Sequence, residues 1–302
     1  MGQNHSFNKS RLDIALESIK MLKIGYLKTH GGFGDSVYLY PIVKWHLARN
    51  PGLVVCSNHP EVFSTLSCKV LDYSRVRTIN VGYFERKNIT ETNQFQDMCI
   101  ASGAPPSIPY QVEFEKCKIP TFPLGNKKLC IINHPYEPLG NLRTIPKSFP
   151  WLPGWQLSQH LTSMLNVLGM YLVPNYQLIQ EIINKFSDRL FYVVVGRNAT
   201  ARYRYTDVDV DLSESRYPKI KWLFNMVNQS DLVISQTGNM NAICEGLDKK
   251  LFVLFSQCGL DMNHDFIGSI KPCKVVTKPT TLWATDAAPK DYIFDVIREA
   301  IK

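Results

Sequence analysis

The chain has 302 residues, enough for two domains with full cores, and 45% of them are hydrophobic, which excludes a disordered or repetitive protein. The 34 lysines and arginines outnumber the 26 acidic residues, and the formal charge of +8 favours an anionic partner: a nucleotide, a phosphorylated glycan, a membrane surface or nucleic acid. No apolar run approaches the ~18 residues of a membrane span and no signal peptide opens the chain, so we expect a cytoplasmic protein without a transmembrane segment.

The predicted elements of the first half alternate between strand and helix, which indicates a parallel sheet. In chain order they are an amphipathic helix at 9–22, a strand at 23–28, a glycine-rich turn at 29–35, a helix at 36–49, a strand at 53–56, a short helix at 60–66 and strands at 69–72 and 77–81. Pro41 is expected to kink or restart its helix. The proline-rich stretch 103–125 is interpreted as the crossing between two domains, 1–124 and 125–302.

The second half shows the same alternation, without an internal repeat of the solenoid kind. In chain order its predicted elements are a strand at 128–132, a proline-rich loop at 133–153, helices near 155–169 and 175–187, a strand at 189–195, a helix at 218–229, a strand at 231–235, a short helix at 242–247, strands at 251–255 and 274–277, and a helix at 290–301. Two α/β domains, each with a parallel sheet, follow from the whole pattern.

Each half carries a glycine turn directly after a strand. The first is Gly31–Gly34, followed by the carboxylate of Asp35, and the second is Gln236–Asn241. A helix that begins at the carboxyl end of a parallel strand presents free backbone N–H groups, which suit a phosphate. If the two sheets face each other, both turns lie at one cleft, with an acceptor on the first side and a nucleotide on the second. The alternative is an ordinary βαβ unit without a ligand.

Two segments carry a resemblance. Gly34–Pro41 opens with Gly-Asp and closes on proline, and residues 231–247 form a strand, a Thr-Gly-Asn-Met turn and a helix of small residues. In this order they resemble the two signatures of the heptosyltransferase-like glycosyltransferases (glycosyltransferase family 9), with weaker similarity over most of the chain. The resemblance implies a GT-B fold, in which two Rossmann-like domains have parallel sheets facing a central cleft. Asn241 stands where the family has histidine, and Gln236 where an acidic residue is common.

The resemblance assigns the role of general base to Asp35, which from the residues alone is also a candidate helix N-cap. On the donor side, backbone N–H groups and basic loop residues would hold the leaving diphosphate, although loop cations are as often only solvated. Glu245 is expected either to accept ribose hydroxyls or to be an exposed helix acid. The donor-side candidates are Gly34, Arg143, Lys147, Arg197, Gln236, Thr237, Gly238, Asn239, Asn241 and Glu245, and the acceptor-side candidates are His30, Gly31, Gly32 and Phe33.

The eight cysteines are scattered without a CxxC pair, which predicts free thiols in a reducing compartment. Three histidines in predicted loops, His30, His134 and His264, form no metal-ligand spacing with them, so we expect no metal site. The start Met1–Ser6 fits the short N-myristoylation pattern, which is weak on its own and leaves lipidation of Gly2 open.

The sequence therefore predicts a metal-independent, inverting glycosyltransferase that moves a hexosyl, pentosyl or heptosyl group from a nucleotide-sugar co-substrate and needs no further cofactor. Its expected acceptor is a glycan or lipid-linked saccharide, or a modified base in DNA, which would fit the basic charge. The basic and aromatic residues interleaved at 197–222 can contact phosphates and stack on bases, but they can equally stack on sugar rings or form a plain surface loop. A non-catalytic nucleotide-sugar or glycan-binding protein on the same fold is the alternative, favoured by Asn241. A dinucleotide-dependent oxidoreductase is disfavoured because Gly31–Gly34 lacks the GxGxxG spacing. The oligomeric state is left open.

Overall fold

The computed structural model describes residues 26–28, 32–71, 79–80, 93–134, 176–196, 205–212, 220–235, 239–255 and 278–302. The predicted helices at 9–22 and 155–169, most of the loop at 133–153 and the strand at 274–277 lie outside these ranges. The chain divides into two compact units. Unit 1 is Met1–Arg86 with Gln94–Tyr110, and unit 2 is Lys87–Asn93 with Gln111–Lys302.

Unit 1 holds a four-stranded parallel sheet with the strand order β3-β2-β1-β4. Its strands are β1 (Tyr26–Lys28), β2 (Val54–Cys56), β3 (Lys69–Leu71) and β4 (Ile79–Asn80), and its helices are α1 (Phe33–Leu47), a 3-10 helix (Pro60–Phe63) and α2 (Gln94–Ser102). The sequence predicts all four strands but not α2, because that helix has 9 residues and polar side chains at most of its first turn.

The helix α1 is the main apolar element of unit 1. Residues 36–43 are all buried, and the helix continues through Pro41 to Leu47, so the proline does not restart it. Tyr110 lies against the rings of Tyr38 and Phe95, with centroid distances of 5.1 and 4.6 Å. Aromatic pairs of this kind contribute about 1 kcal/mol beyond the area that they bury.

Unit 2 holds a six-stranded parallel sheet with the strand order β10-β9-β8-β5-β6-β7. Its strands are β5 (Lys128–His134), β6 (Leu190–Gly196), β7 (Val210–Asp211), β8 (Leu232–Ser235), β9 (Leu251–Phe255) and β10 (Thr281–Thr285), and its helices are α3 (Tyr176–Phe186), α4 (Ile220–Gln229), α5 (Asn239–Gly246) and α6 (Lys290–Ala300). All four helices were predicted to within a few residues.

The four inner strands of unit 2 are nearly continuous apolar runs, as strands covered on both faces require, and the sequence predicts each of them. The two edge strands were missed. β7 has only 2 residues, and β10 (Thr-Leu-Trp-Ala-Thr) begins and ends on threonine and has one exposed and two half-buried positions, so neither forms an apolar run. Trp283, the middle residue of β10, is 44% exposed.

The stretch 111–124 belongs to unit 2, although the predicted boundary at 124 put it in the first domain. The backbone N–H of Val112 donates to the carbonyl of Gly246 at 2.9 Å. The Asn225 side chain donates to the carbonyl of Glu115 at 3.0 Å and accepts the backbone N–H of Cys117 at 3.3 Å. A single buried amide of α4 thus pairs backbone groups of a segment that has no regular structure of its own.

The described cysteines are free thiols, as predicted from their spacing: Cys56, Cys68, Cys99, Cys117, Cys130 and Cys244. Burial raises the pKa of the Cys99 thiol to about 12, because the interior disfavours the thiolate. Within the described ranges, no helix is both long enough and apolar enough to cross a membrane.

Candidate functional site

The strand order of unit 2 reverses between β5 and β8. From β5 the chain continues to β6 and β7 on one side of the sheet, and then returns to β8, β9 and β10 on the other. At such a point the connections that follow two neighbouring strands run in opposite directions. This opens a crevice beyond the carboxyl ends of the strands, and doubly wound sheets bind their ligands in that crevice. We call the carboxyl ends of β5 and β8 the switch-point edge.

Two polar residues face each other across the switch-point edge. The Asn133 amide Nδ2, near the end of β5, donates to the hydroxyl Oγ of Ser235, the last residue of β8, at 3.1 Å. Ser235 is buried. Neither residue was among the predicted site residues. The available signal was that each apolar strand ends on a polar side chain, but their pairing depends on a neighbour about 100 residues away.

The helix α5 begins with Asn239, and three residues separate it from the end of β8. Its backbone N–H groups are therefore close in sequence to the switch-point edge, as predicted for a phosphate-binding turn. The remaining donor-side candidates of this edge lie outside the described residues: Arg143, Lys147, Arg197, Gln236, Thr237 and Gly238. The same is true of His30 and Gly31 on the acceptor side.

Asn241, one of the two residues at which the chain departs from the pattern it resembles, is buried in the first turn of α5. The residue is 1% exposed, and among the described residues neither Oδ1 nor Nδ2 has a hydrogen-bond partner. A buried amide group without a partner costs roughly 1–3 kcal/mol. Because such a group does not stabilise the fold, it is retained for another reason, and contact with a ligand is one such reason.

Glu245 is buried at the other end of α5, so the expectation of an exposed helix acid is wrong. The hydroxyl of Thr281 donates to Glu245 Oε1 at 3.1 Å. Thr281 is the first residue of β10 and pairs with Leu251, the first residue of β9, which places this bond at the amino-terminal edge of the sheet. A ribose contact for Glu245 stays a prediction, and the bond to Thr281 gives the carboxylate a structural role of its own.

In unit 1, Asp35 lies in the first turn of α1, after Gly32 as N-cap and Phe33 as first helical residue. Asp35 is therefore not the N-cap of α1, and the alternative prediction of a capping role is wrong. A Cβ atom on Gly32 would lie 2.8 Å from Asp35 Oδ2. The carboxylate thus folds back over the glycine turn, at the amino end of α1, where the helix dipole is positive.

The loop after β2 lies against this turn. Ser57 Oγ is 2.9 Å from Ser36 Oγ, and the backbone N–H of His59 donates to Ser57 Oγ at 3.0 Å. The imidazole of His59 meets the ring of Phe33 edge-on, with centroids 5.3 Å apart. Sequence reasoning missed His59, because only the parallel pairing of β1 and β2 brings the two loops to one edge.

No group of three or more histidine, cysteine or acidic side chains in the described part of the chain is arranged to hold a metal ion. Independence from metal stays a prediction, since several histidine, cysteine and acidic residues lie outside the described ranges. No model of a protein family matches the sequence. No curated protein matches it either.

Solved structures do match. The iron-containing dodecameric glycosyltransferase TibC from enterotoxigenic E. coli aligns with a TM-score of 0.53 and 10% identity over 88% of this chain, which spans 64% of that protein. The E. coli heptosyltransferase WaaC with ADP-2-deoxy-2-fluoro heptose aligns with a TM-score of 0.51 and 8% identity, covering 91% of this chain and 99% of that one. A glycosyl transferase family 9 structure from Veillonella parvula aligns with a TM-score of 0.52 and 9% identity, covering 92% and 90%.

At these identities the likeness defines the fold. The chain has the GT-B fold of these glycosyltransferases, with one parallel Rossmann-like sheet in each unit. The resemblance to heptosyltransferase-like proteins inferred from the two motifs is thereby confirmed at the level of the fold. What the fold is used for is a separate question, because one fold hosts many activities.

Proposed function

We propose that the protein is a glycosyltransferase that uses a nucleotide-sugar donor. The observation that carries the proposal is the switch-point edge of unit 2, where the Asn133–Ser235 pair lies just before α5 in sequence, on a fold shared with heptosyltransferases. In a doubly wound sheet this is the edge at which nucleotides bind.

The donor diphosphate would lie at the amino end of α5. Backbone N–H groups of Thr237, Gly238 and Asn239 would bind it, helped by the dipole of the helix. Arg143, Lys147 and Arg197 are the candidate cations for the negative charge that develops on the leaving diphosphate, since no metal is expected to supply it. The WaaC structure names an ADP-heptose analogue, which makes heptosyl a candidate donor group beside hexosyl and pentosyl.

Asp35 would act as the general base. A carboxylate in the first turn of α1, half-buried and folded back over Gly32, can accept the proton of an acceptor hydroxyl as that hydroxyl attacks the anomeric carbon. The attack displaces the nucleoside diphosphate directly and inverts the anomeric configuration. The proposed acceptor-side turn consists of His30, Gly31, Gly32 and Phe33, of which His30 and Gly31 lie outside the described residues.

The acceptor is proposed to be a glycan or lipid-linked saccharide, with a modified base in DNA as the second possibility. A chain with a formal charge of +8 attracts either kind of anionic acceptor, so the charge does not choose between them. We further propose that the protein acts in the cytoplasm.

A second candidate function is nucleotide-sugar or glycan binding without catalysis. The observation that favours it is Asn241, a buried amide where the family has histidine. An amide does not titrate, so it cannot replace a histidine that carries charge or a proton.

Donor turnover separates the two candidates. The parent protein is incubated with a panel of nucleotide sugars, and release of the nucleoside diphosphate is measured with and without saccharide acceptors. An enzyme releases the nucleotide slowly to water and faster with its acceptor, whereas a binding protein releases none.

The base assignment is tested with Asp35→Asn, compared with Asp295→Asn on the exposed face of α6 as matched control. Loss of a general base lowers transfer by about 100-fold or more. Equal transfer by the two variants would overturn the role of Asp35.

A further inference from the structure

The loop after β2 and the first turn of α1 meet at the carboxyl edge of the sheet in unit 1. β1 and β2 are parallel, with Lys28 opposite Cys56, so both strands end at this edge. The buried contact of 2.9 Å between Ser36 Oγ and Ser57 Oγ joins the helix to the loop. His59, two residues further on, is therefore fixed next to the turn that carries Asp35.

Two contacts hold His59. Its backbone N–H donates to Ser57 Oγ at 3.0 Å, and its ring packs edge-on against Phe33, with 69° between the ring planes. The ring is neither buried nor fully solvated, since 27% of its side chain is exposed. A side chain that is held yet accessible can bind a ligand without first losing rotamer freedom.

The two ring nitrogens have different surroundings. Nδ1 lies 3.7 Å from Glu61 Oε1, and a neutral imidazole with its proton on Nδ1 directs that proton towards the carboxylate. Nε2, on the opposite side of the ring, then carries a lone pair that accepts a hydrogen bond. Among the described residues, none forms a hydrogen bond with Nε2.

The edge thus presents acceptors of hydrogen bonds: the carboxylate of Asp35 and the lone pair of His59. Saccharide hydroxyl groups donate hydrogen bonds, and two neighbouring hydroxyls on one sugar ring can each donate to one of these two acceptors. A phosphate backbone has acceptors only, and Asp35 and Glu61 would repel it. These features favour a sugar over DNA.

We propose that His59 binds the acceptor saccharide, with Nε2 accepting a hydrogen bond from a hydroxyl next to the one that Asp35 activates. This inference rests on the proposed function and specifies its acceptor as a neutral sugar ring. Phe33 and Glu61 act as positioning residues, because they reach the ligand only through the imidazole.

The test follows the Cε1–H resonance of His59 in protein labelled at histidine, assigned by its disappearance in His59→Gln. The protein is titrated separately with methyl glycosides of glucose, galactose and mannose, with inorganic phosphate and with a short DNA duplex. We expect one of the glycosides to shift the His59 signal saturably and to leave the buried His46 signal in place. A panel of glycosides that leaves His59 unmoved, or a response to phosphate or DNA alone, overturns the proposal.

Two variants separate binding from packing. His59→Gln keeps a hydrogen-bond acceptor near the position of Nε2, whereas His59→Leu keeps only bulk. Loss of one hydrogen bond of about 1.4 kcal/mol weakens glycoside binding by His59→Leu about ten-fold, and His59→Gln restores it to within a few-fold of the parent. If both variants bind as the parent does, or both lose binding equally, His59 does not contact the sugar.

No nucleotide sugar is present in these titrations, so the outcome is independent of donor turnover. A protein that turns over a nucleotide sugar but shows no response at His59 contradicts this inference alone. A protein that binds a glycoside through His59 but accepts no nucleotide sugar contradicts the proposed transferase.

Discussion

The side-chain amide of Asn133 donates a hydrogen bond to the hydroxyl of Ser235, with 3.1 Å between Nδ2 and Oγ. The two residues lie near the ends of β5 and β8, the strands between which the order of the sheet reverses. The bond therefore joins the two halves of unit 2 at the edge proposed for the donor. It also orients both side chains before a ligand arrives, which lowers the cost of binding.

Removing this bond is expected to affect both stability and binding. Ser235→Ala deprives Asn133 of its acceptor at a position that is 1% exposed, so the unfolding free energy falls by about 1–2 kcal/mol and nucleotide-sugar affinity falls with it. Urea unfolding and calorimetry measure the two effects. Ser187→Ala is the matched control, because its hydroxyl bonds the Asn184 carbonyl on the surface. Equal behaviour of the two alanine variants would contradict the assignment.

A substitution of Asn241 is expected to raise the free energy of unfolding, whereas Ser235→Ala lowers it. Asn241→Leu replaces two polar atoms that have no partner in the described part of the chain by an apolar group of similar shape, so we expect unit 2 to be stabilised by about 1–2 kcal/mol. Nucleotide-sugar binding is expected to weaken if the amide is retained for the donor. Met240→Leu, a volume-conserving change at the neighbouring buried position, should alter neither quantity by much. A destabilised Asn241→Leu protein with normal binding would show that the amide serves the fold.

Most of the fold of unit 2 could be predicted from local sequence, and its site could not. The run Leu251–Phe255 is apolar and bounded by polar residues, so its strand follows from its own residues. The Asn133–Ser235 and Ser36–Ser57 pairs depend on which strands become neighbours, which no local pattern specifies. The expectation that Glu245 is an exposed helix acid was wrong for a similar reason, since its hydrogen-bond partner Thr281 lies in an edge strand without an apolar run.

Gly32 is expected to be required for the position of Asp35 and not for folding. In Gly32→Ala the new Cβ would lie 2.8 Å from Asp35 Oδ2, and the carboxylate must move, whereas the backbone at φ −71° accepts alanine. We expect donor turnover with acceptor to fall by about ten-fold or more, because a small misplacement of a reacting group is costly.

The matched glycine control is Gly52→Ala, whose Cβ would meet only Asn50 Oδ1 at 3.4 Å. Both variants should unfold at nearly the same urea concentration as the parent. Full turnover by Gly32→Ala would mean that the position of the Asp35 carboxylate does not matter for the reaction.

His46 is expected to make unit 1 sensitive to acid. Burial lowers the pKa of His46 below its usual 6.5, partly opposed by a hydrogen bond to the Ser102 backbone, and the charge of Arg49 lowers it further. The unfolded chain then binds more protons than the folded one below about pH 6.5, so stability is complete above that pH and is lost as the pH falls towards the folded pKa.

Hydrogen exchange of α1, corrected for the intrinsic rate, measures this effect at pH 7.5 and 5.5. Protection in the parent should fall at the lower pH. His46→Asn keeps a donor for Ser102 without titrating, and its protection should change less between the two conditions. An equal loss of protection in both proteins would assign the acid sensitivity to other groups.

We expect the switch-point edge of unit 2 to bind a nucleotide sugar. Calorimetric titration of the parent with ADP-, UDP- and GDP-linked sugars, including ADP-heptose, tests it most directly. We expect saturable binding of at least one of them with a Kd of roughly 1 μM to 1 mM, in the range usual for substrates, and weaker binding by Ser235→Ala. Absence of binding by every member of the panel to the folded parent would contradict it.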